Sequence, residues 1–208
     1  MKNLTELPEI YQLEAIEELD SFCLVFSKRL LPAFSSIEKE AKLKEEDYLK
    51  DKSENFSPEI DDEANILEDA YFERINYEIQ HFSLKQDFSN ISAVWLYHIF
   101  ERRFELLFGS QFKSKDFINK TKQNLNHNAF YNKLNSQLIE KKLLNRISEL
   151  RLLANAIKHG KTSHAFKQVK QNLPRFIKNN EVVVNEQDIK DYIIVLKDFW
   201  LNSIRISK

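Results

Sequence analysis

The stretch ELRLLANAIKHG, residues 149–160, has the pattern of the last turns of a long helix. Its leucines, alanines and isoleucine recur at helical spacing, and it closes with Gly160, one of only 2 glycines in the chain. Glycine often ends a helix because it tolerates a left-handed backbone. Arg151, Asn155 and His159 are each four residues apart, so a helix places them along one stripe. A guanidinium, a carboxamide and an imidazole in line indicate a candidate site.

The scarcity of turn residues favours helices throughout the chain. The 208 residues include 2 glycines and 4 prolines, whereas a sheet needs turn residues at each reversal. With 42% hydrophobic residues, the chain can bury a sizeable core. We therefore predict an all-α fold, a bundle of about five to seven helices with little or no sheet. We expect residues 1–208 to form a single domain, with an acidic N-terminal helical segment (1–50) and a core bundle (57–208).

Several classes of protein and site do not fit the sequence. Cys23 is the only cysteine, so an internal disulfide or a zinc site of the usual spacing is excluded. Glu78 and His81 form one Glu-x-x-His pair, whereas a ferritin-like di-iron site needs two such pairs and two more glutamates. We predict no metal and no cofactor. The N-terminus lacks a signal-peptide pattern and no apolar run is long enough to span a bilayer, so we expect a cytoplasmic protein without membrane contact.

Charge divides the chain into acidic and basic parts. Residues 1–109 carry 12 Lys and Arg against 24 Asp and Glu, a net charge of -12. Residues 110–178 carry 15 against 3, a net charge of +12, and they include the stripe of Arg151, Asn155 and His159. A basic segment of this kind favours a phosphate-bearing partner such as RNA. The alternative is that the acidic part of the same chain, or of a second copy, covers it.

Helix boundaries follow from capping residues and apolar spacing. We predict helices over residues 5–31, 33–48 and 91–108, a linker at 51–58, and a short helix and loop over 110–128. The first helix is expected to carry Leu13 in its apolar stripe, and the third to begin at a cap, Ser89 or Asn90, and to end at Gly109. Ser57 and Pro58 predict the start of a further helix, whose inner face is expected to be Ile60, Ala64, Leu67, Tyr71, Ile79 and Phe82. Residues 129–159 are expected to be helical and 160–184 irregular, with a β-prone Val182–Val184. Asn185 is the expected cap of the last helix, with Asp188 as its capping-box acid.

Two other residues of the predicted central helix could reach a site. That helix is apolar nearly all round, which is typical of a buried position. His98 and Arg102 are among its few polar members and are candidate substrate-binding residues. The alternative is that His98 is a core histidine satisfied by a neighbouring carboxylate.

The passage Ala154-Asn155-Ala156-Ile157-Lys158-His159-Gly160 resembles the signature of HEPN domains, a superfamily of small helical bundles. The family motif has an Arg, often followed by Asn, and a His at the helix end. Asn155 and His159 match that Asn and that His, but Ala154 stands at the Arg position, and Arg151 one turn earlier is our proposed substitute. Residues 90–205 are also similar to uncharacterised bacterial helical proteins with an LRLLAN-x-x-KHG core, a similarity that implies no activity.

The resemblance implies a metal-independent ribonuclease of a bacterial toxin–antitoxin or phage-defence system, working as a homodimer. His159 would be the general base, because imidazole titrates near neutrality. Arg151 and Asn155 would hold the phosphate, and Lys158 and Lys161 would attract the substrate.

The alternative is a non-catalytic module that dimerises or binds RNA or a protein. In that interpretation the same residues form a structural clamp, because cations stabilise the C-terminal end of a helix. Asn155 would then bond a neighbouring loop, and Arg151 would pair with Glu101 or Glu105.

Overall fold

The structure, a computed structural model, describes residues 9–59, 61–111 and 141–204. The predicted all-α bundle is confirmed, and the described chain adds one two-stranded sheet. The helices are α1 (Glu9–Val25), α2 (Ile37–Glu54), α3 (Glu63–Gln111), α4 (Lys141–His159), α5 (His164–Asn172) and α6 (Glu186–Ile204). A π-helical turn (Phe26–Leu30) and a 3-10 turn (Leu31–Phe34) follow α1, and a 3-10 turn (Pro174–Phe176) precedes β1 (Ile177–Lys178) and β2 (Glu181–Val182). The strands are antiparallel, with Ile177 opposite Val182.

The chain forms two compact units. One consists of residues 1–24 and 89–208, and the other of residues 25–88. Both boundaries fall within helical stretches, and α3 contributes its first half to the second unit and its second half to the first. The single-domain organisation predicted for residues 1–208 stays a prediction.

The core of the larger unit is aromatic. The rings of Phe100, Phe199 and Trp200 are mutually in contact, with centroid separations of 5.2–5.9 Å. Tyr192, Ile193 and Leu196 of α6 are also buried there.

The prediction of separate helices meeting near Ser89 is wrong, because α3 runs unbroken from Glu63 to Gln111. Asn90 does not cap a helix. Its side-chain Nδ2 donates to the carbonyl of Val182 at 2.9 Å, and its Oδ1 accepts from the N–H of Val184 at 3.0 Å. The amide thus holds the segment after β2 against the middle of α3. Gly109 lies within α3 and is not its C-cap.

Helix ends elsewhere follow local chemistry. Asn185 and Asp188 form the predicted capping box: the N–H of each donates to the side chain of the other, at 2.9 and 3.1 Å. Gly160 ends α4 with a φ of +72°, as predicted. Ser57 does not cap α3. The carboxylate of Asp62 instead accepts from the N–H of Ala64 at 2.9 Å, so the helix begins later than predicted.

Other predictions need correction. Residues 33–36 are not part of α2, which continues instead to Glu54, so half of the expected linker is helical. Leu13 is exposed, and the buried stripe of α1 runs through Gln12, Ala15, Leu19 and Phe22. Trp95 is exposed too, so α3 is not apolar and buried all round. The short helix and loop predicted over 112–128, and the first turns of the helix predicted over 129–159, lie outside the described residues.

Glu149 ties α4 to α6 within the larger unit. Its Oε1 accepts hydrogen bonds from Tyr192 at 2.5 Å, from Arg175 at 2.9 Å and from Arg146. The Arg146 guanidinium also lies 4.6 Å from the centre of the Tyr192 ring. Burial raises the pKa of Tyr192, and the hydrogen bond to Glu149 raises it further, so the phenol is a proton donor at all ordinary pH values.

We expect Glu149→Ala to lower the free energy of unfolding by about 2 kcal/mol, because it leaves a buried phenol and two guanidiniums without their acceptor. Tyr192→Phe should cost about 1 kcal/mol. Urea denaturation followed by circular dichroism measures both. Glu186→Ala, which removes an exposed pair with Lys190, is the control and should cost under about 0.5 kcal/mol. Equal losses in all three variants would contradict a special role for Glu149.

The smaller unit is a hairpin of α2 and the first half of α3, and its helices meet through polar pairs. Tyr77 donates to Glu40 at 2.6 Å, Arg74 pairs with Glu45 at 3.0 Å, and Tyr48 donates to Asp69 at 3.3 Å. The inner face predicted for this part of α3 is therefore wrong: Leu67, Tyr71, Ile79 and Phe82 are exposed.

Glu40 makes this hairpin sensitive to acid. Hydrogen bonds from Ser36 and then from Tyr77 hold the pKa of Glu40 below its ordinary value of 4.5. A carboxyl whose pKa is lowered by folding stabilises the fold above its unfolded pKa, and this contribution is lost as the pH falls through the folded pKa.

The double variant Ser36→Ala, Tyr77→Phe should therefore melt at a lower temperature than the wild type at pH 7, and the difference should narrow below about pH 4. Thermal unfolding followed by circular dichroism at several pH values tests this. Glu38→Gln, an exposed acid in the same helical turn, is the control and should show no such pH dependence. A Tm difference that is constant from pH 7 to pH 3 would contradict the role of Glu40.

Candidate functional site

The predicted stripe lies on α4 and becomes more exposed toward the helix end. Arg151 and Asn155 are half-buried, whereas Lys158 and His159 are exposed. The opposite side of the helix is buried, through Leu150, Leu153, Ala154 and Ala156. Among the described residues, the side chains of Arg151, Asn155 and His159 make no hydrogen bond with one another.

Helix geometry separates the two ends of the stripe. Four residues advance a helix by about 6 Å and about 40° beyond a full turn, so Arg151 and His159 lie about 12 Å apart along the axis. Side chains on a helix lean toward its N-terminus, so Arg151 and His159 lean the same way and the separation along the axis remains. One phosphate group therefore cannot contact both side chains within a single chain.

Arg151 belongs to a cluster around Tyr97 of α3. Burial raises the pKa of the Tyr97 hydroxyl, Glu101 raises it further, and the positive charge of Arg151 lowers it. His98 lies 3.4 Å from the Glu101 carboxylate. The structure thus places Arg151 near Tyr97, and His98 beside Glu101 of the same helix, at the end of the stripe away from His159.

Arg102 points elsewhere. Its guanidinium pairs with Glu18 of α1, and the neighbouring Arg103 donates to Glu18 at 2.6 Å and to Glu14 at 2.7 Å. These pairs link α1 to α3. Within the described chain, Arg102 is thus engaged in packing and is not directed toward the stripe.

His159 lies instead at the edge of a basic surface. Lys161 Nζ contacts Glu181 at 2.8 Å, and Lys170 Nζ donates to Asn180 at 3.1 Å, so both ammonium groups lie beside consecutive residues of the β-hairpin. Lys178 is directly opposite Glu181 in the strand pair. We call Lys158, Lys161, Lys170 and Lys178 the lysine cluster. All four are exposed.

Carboxylates are almost absent from this region. Residues 150–180 contain no Asp or Glu, and Glu181 is the one acid in contact with the cluster among the described residues. Glu149, just before this stretch, is engaged by Arg146, Arg175 and Tyr192. The positive charge of the cluster is therefore largely uncompensated, which is the electrostatic property of a polyanion-binding surface.

Sequence reasoning found Lys158 and Lys161 but missed Lys170 and Lys178. The signal was present, because the acid-free run from 150 to 180 is visible in the sequence. The short helix α5 and the hairpin, which bring these lysines together, were not predicted. Their formation depends on tight turns at Gly160 and at Asn179-Asn180. All three of these residues have a positive φ.

Other kinds of site receive no support from the described residues. They contain no group of three or more His, Cys, Asp or Glu side chains that could hold a metal ion. His81 of the Glu78–His81 pair contacts the backbone carbonyl of Tyr77 at 2.9 Å and stacks on its ring. No described helix combines the length and the apolar character that a membrane span requires.

Comparison of the chain with protein-family models, curated proteins and solved structures finds no match. The likeness to HEPN domains therefore remains a likeness of the motif in α4.

Proposed function

We propose that the protein is a helical module that binds RNA through the lysine cluster and His159. The supporting observation is the gathering of four exposed lysines around the β-hairpin, beside the end of α4, with one carboxylate among them. Lysine ammonium groups bind phosphates as point charges and release condensed counterions, so the interaction is strong at low salt and tolerant of sequence.

A charge-reversal experiment tests this function. Lys158→Glu combined with Lys178→Glu should weaken binding of a labelled single-stranded RNA by at least about tenfold, and should reduce the salt dependence of affinity by about one phosphate contact per lysine. Fluorescence anisotropy over a series of salt concentrations measures both effects. Lys44→Glu, an exposed lysine of α2, is the matched control and should leave the affinity nearly unchanged.

Two results would contradict the proposal. One is wild-type protein that fails to bind RNA at low salt, and the other is an affinity that the double variant leaves unchanged. If an acidic peptide binds the lysine cluster more tightly than RNA does, the natural ligand of the cluster is a protein and not RNA.

A second candidate function is the metal-independent ribonuclease implied by the HEPN resemblance. It is favoured by the position of His159, which is exposed beside Lys158 and Lys161, where an RNA backbone would lie. His159 would take the proton of a 2′-hydroxyl, whose oxygen then attacks the adjacent phosphorus and displaces the 5′-oxygen of the next nucleotide. Because Arg151 lies about 12 Å along the helix from His159, its guanidinium would have to act from a second copy.

Cleavage of end-labelled RNA in EDTA distinguishes the two functions. A ribonuclease should yield 2′,3′-cyclic phosphate ends, and His159→Ala should lower the rate by about 100-fold or more. His164→Ala, an exposed histidine at the start of α5, is the control and should retain activity. Absence of cleavage by a folded wild-type protein that binds RNA would exclude the ribonuclease and leave the binding module.

A further inference from the structure

The smaller unit carries its apolar side chains on the outside. Along the first half of α3, the exposed fraction is 56% for Leu67, 47% for Tyr71, 63% for Ile79 and 42% for Phe82. Ile75, between them, is half-buried. Successive members are three or four residues apart, so these five side chains form one continuous stripe about 22 Å long, which we call the outer stripe.

The hairpin leaves this stripe largely exposed, although Leu67 lines a cleft with Leu49 and Phe56. Its two helices meet through the Glu40–Tyr77, Glu45–Arg74 and Tyr48–Asp69 pairs. The unit does bury Phe26, Ile37, Ala41 and Ala70, but the larger apolar side chains of α3 in this unit stay outside, whereas a surface helix ordinarily buries its apolar face. An exposed apolar patch of this extent on a soluble domain marks an interaction surface.

The spacing of the outer stripe is nearly the same in both directions from its centre. Counting from Ile75, Tyr71 and Ile79 are four residues away, and Leu67 and Phe82 are eight and seven residues away. An antiparallel copy of the same helix would therefore place Tyr71 opposite Ile79, and Leu67 opposite Phe82. A two-fold interface requires this kind of self-complementarity, in which the same patch serves both subunits.

Charge selects the antiparallel orientation. Residues 61–69 include five carboxylates, whereas beyond the other end of the stripe the charges of Lys85 and Asp87 cancel. A parallel pair would bring the two acidic ends together, and like charges at such spacing repel. An antiparallel pair keeps the two acidic ends apart.

The stripe also offers a receptor for an aromatic ring. Leu67 lines a cleft of about 420 Å³ together with Leu49, Phe56 and Ile66. Phe82 of an antiparallel copy would lie opposite Leu67, at the mouth of this cleft. An aromatic anchor in an apolar pocket is the arrangement that contributes most to interface affinity.

The available area is of the right size. Five half-exposed side chains of this kind leave on the order of 400 Å² of apolar surface per copy, given that a buried aromatic covers about 150–250 Å². A standard interface buries about 800 Å² per partner, of which somewhat more than half is apolar. The stripe thus supplies about the apolar share of such an interface.

We propose that the outer stripe is a homodimer interface, in which the first halves of two α3 helices pack antiparallel about a two-fold axis near Ile75. This surface is distinct from the lysine cluster, which lies in the larger unit. The dimer would accordingly bind RNA with two copies of the cluster.

Sedimentation velocity of the full chain at micromolar concentration tests the interface. The wild type should sediment as a dimer, and Ile79→Glu should raise the dimer dissociation constant by at least about 100-fold, because it buries a charge opposite Tyr71 in an apolar contact. Leu43→Glu, at a similarly exposed leucine on α2 outside the stripe, is the matched control and should remain dimeric. Circular dichroism checks that both variants keep their helical content.

Cysteine cross-linking tests the orientation in a Cys23→Ser background. Ile75→Cys should form a disulfide-linked dimer, because residue 75 lies on the two-fold axis. Phe82→Cys alone should not cross-link, but a mixture of Phe82→Cys and Leu67→Cys chains should. A monomeric wild type, or a dimer that Ile79→Glu leaves intact, would overturn the proposal, and cross-linking of Phe82→Cys with itself would overturn the antiparallel arrangement. None of these results depends on RNA binding, so the two proposals fail separately.

Discussion

The convergence of three donors on Glu149 is the interaction on which the larger unit depends. One carboxylate oxygen receives hydrogen bonds from Arg146 of α4 itself, from Arg175 after α5, and from Tyr192 of α6. It thereby fixes the last turns of α4 against both elements that follow it.

The same interaction organises the charge. Glu149 is fully engaged with two guanidiniums and a phenol, so it does not neutralise the lysines that come after it. Beyond it the chain has no carboxylate until Glu181, and the fold gathers the lysines of this stretch around the hairpin that contains that residue. A polyanion would meet a surface whose positive charge is opposed by a single exposed carboxylate.

The smaller unit has a different organisation, because it buries few large side chains and joins its two helices by polar pairs as well. Carboxylates of α2 accept hydrogen bonds from a tyrosine and an arginine of α3, and this pairing leaves the leucine, isoleucine and aromatic residues of α3 outside. Such pairs are specific in geometry but contribute little net free energy at partly exposed positions. A partner that buries the apolar stripe of α3 would therefore add to the stability of the hairpin.

The sequence by itself determined the helical class, the capping box at Asn185 and Asp188, and the end of α4 at Gly160. Each of these depends on residues within one or two turns of one another, so local chemistry suffices. It also placed Arg151, Asn155 and His159 on one helix face, but not their surroundings. Only the tertiary structure decided that Arg151 lies with Tyr97, that His159 lies near the hairpin lysines, and that Asn90 bonds a distant strand instead of capping a helix. The sequence likewise could not show whether the apolar stripe of α3 is buried or exposed. Helical periodicity shows that a face is apolar, but not which neighbour, if any, covers it.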